Sequence, residues 1–260
     1  MPKQPNLTPV EFTIPVYDPV LKTWGDHIIN RHYLVSDGRV KGKAAKLVIA
    51  CHGGHGSAEK MLPRVPGRAG YVTVYPSGSD NGAFGLARVD GNFLSWHTYG
   101  PDEIESAQGW AGANKVNDEL FLSSLIAECK ARYGTIGTYG VGVSRGGMMV
   151  YHMSLALDAF DAVAGIATSI TSGTKYTPSG LVPNLHIHGD DDHLVSWEKW
   201  YDTCAPWPQA KPLIAAPGGW QGRGEGHELH IVPNGQHAWD METGFDTTGT
   251  VERFLDRQVA

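Results

Sequence analysis

The chain is short of cysteine, of net positive charge and of long apolar runs, and each shortage removes a class of protein. Lys and Arg number 21 against 27 Asp and Glu, a formal net charge of -6 with no block of like charge. Neutralising a phosphate backbone needs a basic face, so nucleic acid is not an expected partner. The three cysteines, Cys51, Cys129 and Cys204, are odd in number and far apart. They fit neither a disulfide framework nor a zinc motif, and Cys51 and Cys129 sit inside apolar patterns as buried small hydrophobes would. No segment reaches the roughly 18 apolar residues of a membrane span, so no membrane partner is expected. Met1-Pro2-Lys3-Gln4-Pro5-Asn6 carries one cation and leads into no apolar stretch. It does not read as a signal peptide, and the expectation is a cytoplasmic chain or one released without a cleaved leader.

What remains is an ordinary globular balance, 41% apolar and 18% charged over 260 residues. That length suits a single domain, 1–260, large enough to bury a core without staples. Extended segments are expected at Glu11 to Val16 and Ile28 to Ser36. Lys46-Leu47-Val48-Ile49-Ala50-Cys51 is nearly all apolar and reads as a strand buried on both faces. Tyr71 to Tyr75, Gly137 to Val143, Phe160 to Ala167, Pro183 to His188 and Glu228 to Val232 are further strand candidates. Leu122, Leu125, Ile126, Cys129 and Tyr133 recur at helical spacing and predict a helix over Val116 to Tyr133. Gly146 to Leu157 and Thr247 to Val259 also read as helices. Alternation of this kind implies an α/β fold, a doubly wound and mostly parallel sheet flanked by helices. The Gly-, Ser- and Asn-rich stretch from Pro76 to Ala113 reads as a long functional loop, and Cys204 to Gly226 as a Pro- and Gly-rich insertion.

Four short motifs carry chemistry. Gly142-Val143-Ser144-Arg145-Gly146 has the form G-x-S-x-G between a predicted strand and a predicted helix. A tight turn there lifts a serine hydroxyl above the sheet edge, and flanking glycines remove side chains that would collide. The backbone N–H of Arg145 then lies at a helix N-terminus, where an oxyanion can be held. His52-Gly53-Gly54-His55-Gly56 follows the first buried strand, and Gly54 is the candidate for the second oxyanion donor. His188-Gly189-Asp190-Asp191-Asp192 offers three carboxylates that could orient an imidazole, and spacing alone leaves all three open. Gly235-Gln236-His237-Ala238-Trp239 places a histidine in a Gly-flanked loop beyond the last predicted strand. The chain order serine, aspartate, histidine is the one expected of a hydrolase triad on this fold. Ser144 is thus the candidate nucleophile and His237 the candidate general base, with His55, Trp96 and Trp239 as candidate substrate-binding residues.

At these motifs the chain resembles the polyhydroxybutyrate depolymerase and feruloyl-esterase-like branch of the α/β-hydrolases. The matching residues are Leu47 to Gly56, Val74-Tyr75-Pro76, Gly142 to Met149, His188 to Asp192 and Gly235 to Trp239, with Asp118 and Trp96 in corresponding places. The likeness runs roughly from Tyr33 to Leu255. It implies an α/β-hydrolase fold and a serine esterase that needs no cofactor. Substrates implied are hydroxyalkanoate, feruloyl or acetyl (polysaccharide) esters, small or polymeric. Its H-G-x-x-D register selects Asp192 over Asp190 and Asp191. Arg145 departs from the small polar residue usual after the nucleophile, and suggests an anionic or polar acyl group.

Two rivals belong to other classes. His52-x-x-His55, His186-x-His188 and His193 raise a metal hydrolase, yet H-x-x-H in a Gly-rich loop lacks the i, i+4 helical face of a zinc site. No metal ligand is therefore assigned. The eight tryptophans, among them Trp96, Trp110, Trp207, Trp220 and Trp239, raise a catalytically silent carbohydrate-binding protein on a hydrolase scaffold. Tryptophan more often builds cores and pocket walls.

Overall fold

The computed structural model describes residues 6–18, 23–80, 94–96, 118–170, 182–198, 210–214 and 226–258. Eight strands form one sheet. β1 (Asn6–Asp18) and β2 (Thr23–Asp37) form an antiparallel hairpin, and β2 runs antiparallel to β4 (Tyr71–Pro76). From β4 onward every pairing is parallel, through β3 (Lys46–Cys51), β7 (Gly137–Val143), β8 (Ala162–Ile166), β9 (Asn184–Gly189) and β10 (Glu228–Val232). A separate two-stranded pair joins β5 (Ser79–Asp80) to β6 (Leu94–Ser95).

Register decides where the site can be. Cys51 is level with Gly142, Val143 with Ile166, Ile166 with Ile187, and Gly189 with Val232. The carboxyl ends of β3, β7, β8, β9 and β10 therefore finish along one rim. Loops leaving that rim are neighbours in space although they are far apart in sequence, which is where open α/β sheets place their ligands.

Alternate residues of β3 feed two cores. Leu47, Ile49 and Cys51 pack with Phe121, Leu122, Leu125 and Cys129 of α2 (Asp118–Tyr133) and with Met149, Val150 and Met153 of α3 (Arg145–Leu157). Val48 and Ala50 pack on the opposite face with Ala58 and Met61 of α1 (Ala58–Met61), and with Val251, Phe254 and Leu255 of α5 (Thr247–Arg257). A short α4 spans Ala210–Ile214. α5 is amphipathic because its buried residues recur every three or four positions, and Asp246 caps it by accepting the Gly249 N–H. Phe254 is fully buried and alone contributes roughly 1.5–3 kcal/mol of transfer free energy. Burial pushes the Cys51 thiol far up and that of Cys129 up to about 12, so both act as small hydrophobes.

The expected elements are present, with shifted ends. The first two strands extend further than Glu11 to Val16 and Ile28 to Ser36, because their pairing continues to Asp18 and Thr23. The strand expected over Phe160 to Ala167 shortens to Ala162–Ile166: the Asp161 carboxylate accepts the Thr138 N–H, and Ala167 sits at φ +46. The helix expected from Gly146 begins one residue earlier, at Arg145. The turn of helix after His52-Gly53-Gly54-His55-Gly56 was not anticipated; Ser57 caps it by accepting the Lys60 N–H. Most of the expected loop from Pro76 to Ala113 and of the insertion from Cys204 to Gly226 lies outside the described residues, as do Trp110, Trp207, Trp220 and Cys204. Among the described residues no helix is long and apolar enough to cross a membrane.

Candidate active site

The G-x-S-x-G segment turns from β7 into α3 with Ser144 at φ +53 and ψ -123, a conformation that L-residues adopt only under constraint. Strain of this kind stores about 1–3 kcal/mol and needs fixing on both sides. Here the Ser144 N–H donates to the Ile166 carbonyl (2.9 Å), and the Ser144 carbonyl accepts from Met148 N–H (3.0 Å) and Thr168 Oγ1 (2.7 Å). The glycines are required by close approach. A Cβ on Gly142 would lie 2.3 Å from the Gly146 carbonyl oxygen, and one on Gly146 would lie 2.3 Å from the carbonyl oxygens of Cys51 and His52. Helix α3 thus seats its first turn directly on the end of β3.

His237 reaches Ser144 from the far loop. Its Nε2 lies 2.9 Å from Ser144 Oγ, and its Nδ1 lies 2.7 Å from Asp192 Oδ2. A carboxylate only accepts, so Nδ1 carries the proton and Nε2 is left to accept from the serine hydroxyl. Asp192 is fully buried. Its Oδ1 accepts the backbone N–H groups of Leu194 and Val195, both at 2.8 Å. Burial pulls this carboxyl upward, but the His188 and His237 donors outweigh it and hold the group below the usual carboxylate range.

The competing aspartates are occupied otherwise. Asp190 Oδ1 accepts the Asn234 N–H (2.7 Å) and Asp191 Oδ2 accepts from the Gln236 side-chain amide (2.9 Å). Both tie the β9 loop to the β10 loop, as does the bond from Asp191 N–H to the Gly235 carbonyl (3.1 Å). Contact between these loops depends on two glycines, since a Cβ on Gly189 would lie 2.1 Å from the Gly235 carbonyl oxygen.

The His52-Gly53-Gly54 loop lies beside Ser144. A Cβ on Gly53 would lie 3.4 Å from Ser144 Cβ, and one on Gly54 would lie 3.4 Å from Arg145 Cδ. Arg145 is half-buried as the first residue of α3, at the positive end of the helix dipole. His55 is exposed at φ +59; partial burial, then the charges of Arg145 and Lys60, hold its imidazole below the ordinary range.

Of the other two substrate-binding candidates, Trp96 is 3% exposed and its indole N–H donates to the His52 carbonyl (2.7 Å), which buttresses the loop. Trp239 belongs to the same core cluster as Phe254 and Met241 and donates to Thr248 Oγ1 (3.1 Å). The part His52 plays in shaping this loop was not read from the sequence. Gly78 N–H donates to its Nε2 (2.9 Å), so Nδ1 carries the proton and bonds the Gly53 carbonyl (2.7 Å). Burial holds it neutral, lowered to about 4. The H-G motif was the available signal, its glycines read for the oxyanion and its histidine weighed only as a metal ligand.

The same accounting bears on metal. Both nitrogens of His52 are engaged by the protein, and so are both of His188, whose Nε2 bonds the Val195 carbonyl and whose Nδ1 lies 3.0 Å from His186 Nε2. Among the described residues no group of three or more metal-capable side chains is assembled.

No protein-family profile matches the chain, and no curated protein does. Solved structures do. Esterase PE8 superposes with a TM-score of 0.56 at 20% identity, over 83% of this chain and 95% of its own. Acyl-protein thioesterase 2 from Zea mays gives 0.53 at 12%, over 86% and 98%. XC6422 from Xanthomonas campestris, described as an α/β serine hydrolase without a lid, gives 0.50 at 16%, over 95% and 94%. Together with the strand order, these likenesses show the class of fold: this chain has the α/β-hydrolase fold.

Proposed function

We propose that the chain is a single-domain serine carboxylic-ester hydrolase in which Ser144, His237 and Asp192 form the catalytic triad. The supporting observation is the unbroken path from Ser144 Oγ through His237 to the buried Asp192 carboxylate. His237 Nε2 takes the hydroxyl proton as Ser144 Oγ attacks the ester carbonyl. Asp192 holds the imidazole tautomer and stabilises the imidazolium that forms. The tetrahedral oxyanion is received by the N–H groups of Gly54 and Arg145, and the imidazolium then protonates the leaving alkoxide. Water, deprotonated by His237, resolves the acyl-enzyme to acid and free serine.

The substrate class follows the resemblance at the four motifs: hydroxyalkanoate, feruloyl or acetyl (polysaccharide) esters, as small molecules or polymer ends. Arg145 and His55 at the rim favour a polar or anionic acyl group. Replacing Ser144 by alanine should lower turnover of p-nitrophenyl acetate by about 10⁴–10⁶-fold. Near wild-type turnover in that variant would refute the proposal. A panel of acetyl, butyryl, hydroxybutyryl and feruloyl esters would then rank the acyl group.

A further inference from the structure

Behind Asp192 the polar path continues, through residues that the triad does not include. His188 Nε2 lies 2.7 Å from the Val195 carbonyl and 3.5 Å from Asp192 Oδ2. Both partners only accept, so Nε2 carries a proton. His186 Nε2 lies 3.0 Å from His188 Nδ1, and Tyr151 Oη lies 2.8 Å from His186 Nδ1. The polar contacts thus run without a break from α3 to the carboxylate. All three side chains and Asp192 are fully buried. Trp197 closes the stack, its ring 5.6 Å from His186 and 5.4 Å from His188.

Such an arrangement is more than a core contact. A buried polar network is stabilising only when every member is satisfied, and apolar residues would fill this volume without that demand. The network ends on the one carboxylate oxygen that bonds His237. Asp192 Oδ1 is already held by two backbone N–H groups, so without His188 the Oδ2 side would be held only by the imidazole it has to orient.

We propose that His188, seated by His186 and Tyr151, is a positioning residue for the triad acid: it fixes Asp192 Oδ2 from behind and takes part of its charge. The inference rests on the triad reading above. Other polar groups reach the site from each neighbouring element. From the β9 loop come Asp190 and Asp191, the latter 3.5 Å from His193 Nε2, and from the β10 loop come Gln236 and His237. His188 Nε2 stands 3.5 Å from Oδ2, the same oxygen that bonds His237.

The test uses His188→Leu and His188→Gln in the whole protein, followed by kcat/KM against pH on p-nitrophenyl acetate, with folding checked by thermal melting. Losing the N–H leaves more of the Asp192 charge to His237, which favours the imidazolium. His188→Leu should lower kcat/KM roughly ten-fold or more, the scale of one hydrogen bond to a charged group. The acid limb of its profile should move to higher pH. His188→Gln restores a donor and should bring the limb back towards wild type. A merely structural histidine would change the melting temperature and leave the limb in place. A limb unmoved or moved down in His188→Leu, or left displaced in a folded His188→Gln, would overturn the proposal. If His188→Leu does not fold, the His188→Gln profile decides alone: a wild-type limb with at least partial turnover supports the proposal, and a displaced limb overturns it. Ser144→Ala, run alongside, separates the two claims. Its loss of activity with an unmoved His188→Leu limb overturns only the positioning role, whereas its retention of activity overturns both.

Discussion

Alanine at Gly189 is a small perturbation with a large expected effect. The added Cβ would lie 2.1 Å from the Gly235 carbonyl oxygen and 2.3 Å from its carbonyl carbon, against a limit of 3.0 Å for real contacts. Both atoms are backbone, so no side chain can swing aside, and the β9 and β10 loops must part by about 1 Å. Asp192 rides on one loop and His237 on the other, joined at 2.7 Å. Opening by that amount takes the pair beyond hydrogen-bonding distance. A misplacement of about 1 Å is worth on the order of 100-fold in rate. Overpacking adds a destabilisation of roughly 1–3 kcal/mol, or about 2–12 °C in melting temperature at this size. The assay is kcat/KM for p-nitrophenyl acetate at a temperature well below the variant's own melting point, so that lost folding is not read as lost chemistry. Wild-type turnover in a folded Gly189→Ala protein would refute the claim that close approach of these loops assembles the site.

Further outcomes follow from the same geometry. Asp192→Asn should lower kcat by about 10⁴-fold, because the amide stabilises the wrong imidazole tautomer, while Asp190→Asn and Asp191→Asn should each stay within about ten-fold; kinetics of the three variants assign the triad acid. Trp96→Phe should keep the fold and lower kcat/KM about ten-fold by releasing the His52 carbonyl from its indole N–H, as measured by kinetics beside a melting curve. His52 is held neutral by burial, lowered to about 4, so the unfolded chain binds its proton first. Its contribution is complete above about pH 6.5 and is lost as the pH falls towards 4, about 3 kcal/mol in all. Denaturant unfolding across that window should show stability rising with pH, and a flat profile would contradict the buried neutral ring.

Much of this was legible in the residues, and what was not has physical causes. β3 could be read because a strand buried on both faces is a nearly continuous apolar run, and the elbow after β7 because its glycines bracket a serine. Choosing among Asp190, Asp191 and Asp192 from spacing was beyond a one-dimensional reading: the decision lies in which carboxylate turns inward at the end of β9, and all three make loop bonds of similar length. The burial of Trp96 and Trp239 was not legible, because bulk suits a pocket wall and a core equally. The histidine network was hidden for a similar reason. His186 and His188 alternate along β9 as any inward-facing pair would, and their partners, Tyr151 and Val195, come from other parts of the chain.

The most direct measurement is covalent labelling with an alkyl fluorophosphonate followed by peptide mapping, on wild type and on His237→Ala. Wild type should lose its esterase activity in step with one phosphonyl group on Ser144, and the His237 variant should label slowly, since its serine lacks a base. Full inhibition with the adduct on another residue, or undiminished activity in a fully labelled protein, would contradict the account.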